Sequence, residues 1–187
     1  MSMRIISGCF KGFPIAFPKY IRPTQDKVRQ AVFDVLAPVI RGARVLDLFA
    51  GSGAFGLESL SRGASGAWFI EKDKRCKYII DNNLGSFPLS QTQQIDVKVY
   101  GNDVGRALAI LEKKREAFDI IFLDPPYHKG LAKKTLQTLY AGGILTASGF
   151  LVIEHAKIDD LGLLPEGYNS VRCMTYGDIR VTILQRA

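Results

Sequence analysis

The sequence predicts an α/β fold in which a mostly parallel sheet is covered by helices on both faces and closed by an antiparallel hairpin. Three observations point to it. From Gly42 onward, β-rich runs alternate with helical patterns. Several of those runs are apolar almost throughout, as strands buried on both faces require. The last segment then changes character, with two β-rich runs flanking Gly177.

The parallel strands are read at 44–49 (RVLDLF), 67–71 (AWFIE), 96–100 (DVKVY), 118–123 (FDIIFL) and 150–155 (FLVIEH), with helices near 55–62, 73–84, 103–115 and 131–140 between them. The closing hairpin pairs 168–176 with 178–186. Upstream, 3–8 and 11–17 read as short strands around a turn that carries basic residues away from the main sheet. A helix then starts within 22-RPTQDKVRQAVFDVLAPVI-40. There Thr24 is a candidate N-cap, Asp26 an acid in the first turn, and Val28, Ala31, Val32, Val35 and Leu36 an apolar stripe. Arg22 and Thr24 sit just ahead of the cap, where they could face a ligand.

At 187 residues and 47% apolar composition, without repeats or a low-complexity linker, the chain fits one domain, 1–187, with residues 1–20 as a hairpin appendage. No apolar run is long enough to span a bilayer and the start lacks a signal-peptide pattern, so a cytoplasmic protein is expected. Cys9, Cys76 and Cys173 have no CxxC spacing and His128 and His155 complete no zinc pattern; free thiols and no structural metal follow. The net charge of +7 is uneven. Residues 1–45 hold eight Lys/Arg against Asp26 and Asp34, whereas the remainder is almost neutral. Such a segment suits a polyanion, nucleic acid foremost, although a solvated basic face fits equally. Arg4, Lys11, Arg22 and Arg29 are the candidate RNA contacts.

The loop in 47-DLFAGSGAFG-56 follows the first parallel strand and opens a helix, at the carboxyl edge where open α/β sheets bind ligands. Gly51 and Gly53 let the backbone turn tightly and approach a ligand closely. With Gly56 they satisfy G-x-G-x-x-G, and Glu71 lies 20 residues after Gly51, so a nicotinamide-dependent oxidoreductase is one reading. Asp47 opposes it, because an acid there would repel a pyrophosphate. A ligand with a cationic amino-acid end and no phosphate, such as S-adenosylmethionine, would instead gain from that acid. Glu71 can then accept the ribose hydroxyls. Asp103 can accept from an adenine amine or cap the helix that follows.

The run 118-FDIIFL-123 stops in Asp124-Pro125-Pro126-Tyr127 at the same edge. Prolines fix φ and lack an amide hydrogen, so the loop becomes a rigid array of acceptors. An exocyclic base amine is a poor nucleophile because its lone pair is delocalised into the ring. The Asp124 carboxylate and the Pro125 carbonyl can hold both amine hydrogens and favour a geometry that aims the lone pair at a methyl donor. Tyr127 offers a ring for a base lifted from its helix. No cysteine adjoins the motif, which disfavours covalent ring-carbon methylation.

Taken together, 4-RIISG-8, 11-KG-12, 22-RPTQDKVRQAVFDVL-36, 45-VLDLFAGSGAFGLESLSRGA-64, 118-FDIIFLDPPY-127 and the Tyr176-Gly177 hairpin resemble the RsmD-type family of 16S rRNA guanine-N2 methyltransferases nearly end to end. The resemblance implies a Rossmann-like, seven-stranded class I methyltransferase that uses S-adenosylmethionine on the small ribosomal subunit or its assembly intermediate, with the amino-terminal hairpin engaging RNA. We expect it to act as a monomer without membrane association. Carried over, the cofactor positions are Asp47, Gly51, Gly53, Glu71 and Asp103, with Thr24 added from its place before the helix, and the catalytic motif is Asp124, Pro125, Pro126 and Tyr127. The chain departs from the family at Phe13, where another basic residue tends to follow Lys11-Gly12. Guanine N2 is implied by the resemblance alone, since the same motif serves adenine N6 and cytosine N4. A DNA amino-methyltransferase and a non-catalytic assembly factor stay open, the former opposed by a chain too short for a large target-recognition domain.

Overall fold

Each apolar run becomes a strand because its alternate side chains enter two separate cores, one on each face of the sheet. The computed structural model describes residues 3–18, 26–88, 95–127 and 130–187. Within them lie β1 (Met3–Arg4), β2 (Pro14–Ile15), α1 (Asp26–Leu36), β3 (Arg44–Leu48), α2 (Ala54–Ser61), β4 (Gly66–Ile70), α3 (Lys74–Ser86), β5 (Asp96–Tyr100), α4 (Val104–Lys113), β6 (Phe118–Leu123), α5 (Leu131–Ala141), β7 (Leu145–Ala156), β8 (Tyr168–Tyr176) and β9 (Ile179–Arg186). Seven strands form one sheet in the order β5-β4-β3-β6-β7-β9-β8. The first five are parallel, and β9 and β8 close the edge antiparallel.

Val45, Phe69, Phe122 and Val152 project to one face, against Phe33 of α1 and Phe55 and Leu57 of α2. Leu46, Trp68, Ile121 and Leu123 project to the other, against Leu108 of α4 and Leu136 of α5. Most expected strand limits lie within a residue or two of these. The upstream strands expected over 3–8 and 11–17 shrink to Met3–Arg4 and Pro14–Ile15, and β7 begins at Leu145 rather than at Phe150. The first half of β7, Leu-Thr-Ala-Ser-Gly, carries a register shift opposite Phe118–Ile120 and places Ser148 at φ 63°, so it lacks a regular ladder and an apolar signature.

The amino-terminal hairpin does not stand away from the body. Only two residue pairs link β1 to β2. Side chains of the main domain hold the rest: Glu58 accepts from the backbone N–H of Ile6 (2.7 Å) and Ser7 (3.0 Å), and Asn83 exchanges two hydrogen bonds with Ala16. Met3, Ile5 and Ile15 join the core.

Register fixes where the loops meet. Leu48, Ile70, Tyr100, Leu123 and Ile153 form one row across the sheet. The residues that follow them at the carboxyl edge include Phe49, Glu71, Asp124 and Glu154. β4 and β5 extend to one side of β3, and β6 and β7 to the other, which makes the gap between β3 and β6 the topological switch point. No described helix is long and apolar enough to cross a membrane.

Candidate functional site

A cavity of about 440 Å³ opens at that switch point, within the size range of small-molecule clefts. Its floor begins with Asp47. In a parallel ladder paired residues share a face, so Asp47, paired with Phe122, points to the α2 side. Helix α2 has Gly53 as its N-cap and no side-chain cap of its own. The Asp47 carboxylate takes that place from the strand, accepting from the Gly56 N–H at 3.0 Å. Burial pushes the Asp47 carboxyl up to about 8; the Gly56 bond opposes the shift and the charge of Glu71 adds to it.

The loop between Asp47 and the helix has little freedom. Phe49 is held at φ 59°, a left-handed conformation costly for an aromatic residue, and it lines the cavity. Gly51 and Gly53 are also left-handed, at φ 58° and 79°. Gly56 serves packing, because a Cβ there would lie 2.2 Å from the Phe69 ring. Glu71 braces the loop from the end of β4: one carboxylate oxygen accepts from the Gly51 N–H at 2.9 Å and the other from the Asp73 N–H at 2.8 Å. Each oxygen keeps a further lone pair for a diol.

The opposite wall is the DPPY loop. Asp124, Pro125, Pro126 and Tyr127 all line the same cavity as Asp47, Gly51 and Glu71. The Tyr127 hydroxyl donates to Glu154 Oε1 at 2.6 Å, which ties the loop to the end of β7. Tyr176 and Ile179, from the turn of the closing hairpin, complete that side.

The remaining expected residues are placed differently. Gly53 is the left-handed N-cap of α2, packed near Phe69 and Ile80. Asp103 is exposed and caps α4, accepting from the Gly105 N–H at 2.9 Å, while its neighbours Asn102 and Val104 line the cavity. Thr24 and Arg22 lie outside the described residues. Arg4 and Lys11 are exposed on the hairpin. Arg29 is a correction: it is fully buried and donates to the Arg4 carbonyl (2.5 Å) and to Asp26 (3.0 Å), with Glu58 at 4.0 Å. Residues 29, 32, 33 and 36 share one helix face, and that face is the core face, so the guanidinium meets no phosphate.

Sequence reasoning missed Glu154, Tyr176 and Asn102. Glu154 carries a legible signal, an acid ending an apolar run, as at Glu71 and Asp124. Tyr176 had none beyond its place beside a turn glycine.

Against known proteins, a family model described as Conserved hypothetical protein 95 matches residues 3–185. The Escherichia coli K12 protein Ribosomal RNA small subunit methyltransferase D is 33% identical over 186 residues, covering 98% of this chain and 90% of that protein. The chain belongs to this family, the RsmD family. Its Haemophilus influenzae relative of the same name is 31% identical, covering 98% of this chain and 93% of that protein. Among solved structures, yhhF of Escherichia coli superposes with a TM-score of 0.86 at 34% identity, covering all of this chain and 98% of that one. An RNA methyltransferase from Salinibacter ruber, solved with S-adenosyl-L-homocysteine, shares the fold at TM-score 0.66 and 16% identity, covering 88% and 94%. RsmD-family membership accounts for the Rossmann-like sheet and its closing hairpin together.

Proposed function

We propose that this RsmD-family chain methylates the exocyclic N2 amine of a guanine in 16S rRNA with S-adenosylmethionine, as a cytoplasmic monomer acting on the small ribosomal subunit or its assembly intermediate. The observation that carries the reading is the meeting of Asp47 and the DPPY loop in one cavity. A desolvated carboxylate on the first-turn amide of α2 fits a cationic amino-acid ligand and opposes a dinucleotide. In a dinucleotide site the helix N-terminus would face phosphate; here the chain's own acid is already there. The oxidoreductase reading loses its footing on that contact.

S-adenosylmethionine, when bound, supplies a methyl group activated by the positive charge on its sulfur. Asp47 offers charge to the amino-acid end, and Glu71 offers lone pairs to the ribose diol while keeping Gly51 in place. Asp124 and the Pro125 carbonyl accept the two hydrogens of the target amine and turn its lone pair into the cavity. Rate comes mainly from this positioning, and Asp124 is placed to take the proton the amine sheds. Tyr127, anchored through its hydroxyl to Glu154, presents a ring to a base drawn out of the RNA. Lys11 and Arg4 contact phosphate from the exposed hairpin.

The test is methyl incorporation into small subunits lacking the modification, followed by mass spectrometry of the nucleosides. N2-methylguanosine is expected. N6-methyladenosine or N4-methylcytidine would overturn the base assignment, and RNA binding without methylation would favour an assembly factor.

A further inference from the structure

Resting on that methyl-transfer reading, we infer that Glu154 is the residue that selects guanine. Its placement is the starting point. Leu123 pairs with Ile153, so Asp124 and Glu154 follow each other's strands at the same level of the sheet. Both lie two residues beyond the pair Phe122–Val152, and both border the main cavity and a smaller crevice beneath it. Glu154 is only 4% exposed, yet it borders the cavity, and the Tyr127 hydroxyl donates to its Oε1. The methyl-transfer steps leave this buried acid without a chemical task.

The chemistry of the base supplies one. Whichever amine Asp124 grips, a ring nitrogen stands beside it. Guanine has two such neighbours, N1 with a hydrogen and N3 with a lone pair, and the inferred pose turns the N1 edge to Glu154; in adenine the neighbour is N1, and in cytosine N3, each with a lone pair. A carboxylate next to Asp124 accepts from guanine N1 and repels the other two bases. An ionised Glu offers only acceptors, so it cannot adapt to a lone pair by rotating. Buried sites that are built around a hydrogen bond reject analogues lacking the donor far more strongly than apolar pockets reject a change of shape. Asp124 grips the amine, and Glu154 reads which base bears it.

The decisive substrate is 2-aminopurine, which keeps the amine at C2 and replaces the N1 hydrogen with a lone pair. Small subunits are reassembled from ligated 16S rRNA carrying guanosine or 2-aminopurine at the mapped target, and kcat/KM is compared. Wild type should prefer guanosine by at least about 100-fold. E154Q can turn its amide toward N1 while its carbonyl still accepts from Tyr127, so the preference should fall to within about tenfold or invert. E154D, which keeps the acceptor, should lose rate on guanosine and retain the sign of the preference. Equal use of both bases by wild type would overturn the assignment whether or not either variant folds. So would an E154Q enzyme, folded by thermal melt, that loses rate equally on both, the pattern of a residue that merely anchors Tyr127. Failure of wild type to methylate the guanosine particle would instead remove the methyl-transfer reading itself.

Discussion

The two edges of the central sheet treat charge in opposite ways. At the amino edge, the Arg44 guanidinium lies 2.7 Å from Glu116 and 3.4 Å from Asp96, and stacks 4.5 Å from the Trp68 ring and 4.8 Å from the Phe118 ring. Asp96 also accepts from the Trp68 indole, and Asp119 from the Arg44 backbone and the Thr146 hydroxyl. Acids there are matched with a cation or a saturating donor set. At the carboxyl edge Asp47, Glu71, Asp124 and Glu154 converge on one cavity, and the bonds described for them come from amides and a tyrosine hydroxyl. One edge pairs its acids for stability; the other gathers its acids around a cavity, where burial holds the Asp47 proton until a cationic ligand favours its release.

The difference can be broken by exchange of single residues. The largest effect is expected at Asp124→Ala, which should lower kcat/KM for small subunits by about 100- to 1,000-fold while S-adenosylmethionine affinity, read by calorimetry, changes little. Comparable activity in that variant would remove Asp124 from the chemistry.

Asp47→Asn should separate stability from binding. The folded-state carboxyl, near 8, lies above its ordinary value of 3.8, so the folded chain holds a proton that the unfolded chain has released between those values. Wild-type stability therefore falls as pH rises through that window. Asparagine can still accept from Gly56 and does not titrate. Its melting temperature should match wild type near pH 4 and exceed it by several degrees above pH 8, while cofactor affinity drops. A variant no more stable at high pH would show that the acid is not penalised by burial.

At the other edge, Arg44→Met should cost about 2 kcal/mol, a loss of roughly 4–8 °C in melting temperature, through its charged hydrogen bonds and ring contacts. Activity at a permissive temperature should be unchanged; a loss of turnover would mean the edges are coupled. The smallest effect belongs to the hairpin. Lys11→Ala should reduce the salt dependence of RNA binding by about one phosphate contact, whereas Arg29→Met should lower stability and leave the salt slope intact.

How far the sequence could be read follows the same division. Parallel strands buried on two faces announce themselves as nearly unbroken apolar runs, so β3, β4 and β6 are legible to within a residue or two, whereas the edge strand β5 shows only the alternation of Val97 and Val99 with polar residues. The carboxyl edge was legible where an acid interrupts such a run, as at Asp47 and Asp124. Glu154 obeys the same rule less visibly, because the strand does not stop at it but carries on to Ala156. Arg29 misled because charge is read from composition, whereas exposure depends on which helix face meets the core. The hairpin misled for a related reason: its anchors are Glu58 and Asn83, more than fifty residues away in sequence.

The most direct measurement is calorimetric titration of S-adenosylmethionine at pH 7 in buffers of different ionisation enthalpy. Wild type should bind it and release most of one proton from Asp47, Asp47→Asn should release correspondingly less, and NAD should not bind. Binding without any difference in proton release between the two proteins, or NAD bound in place of S-adenosylmethionine, would contradict a carboxyl edge held ready for a cation.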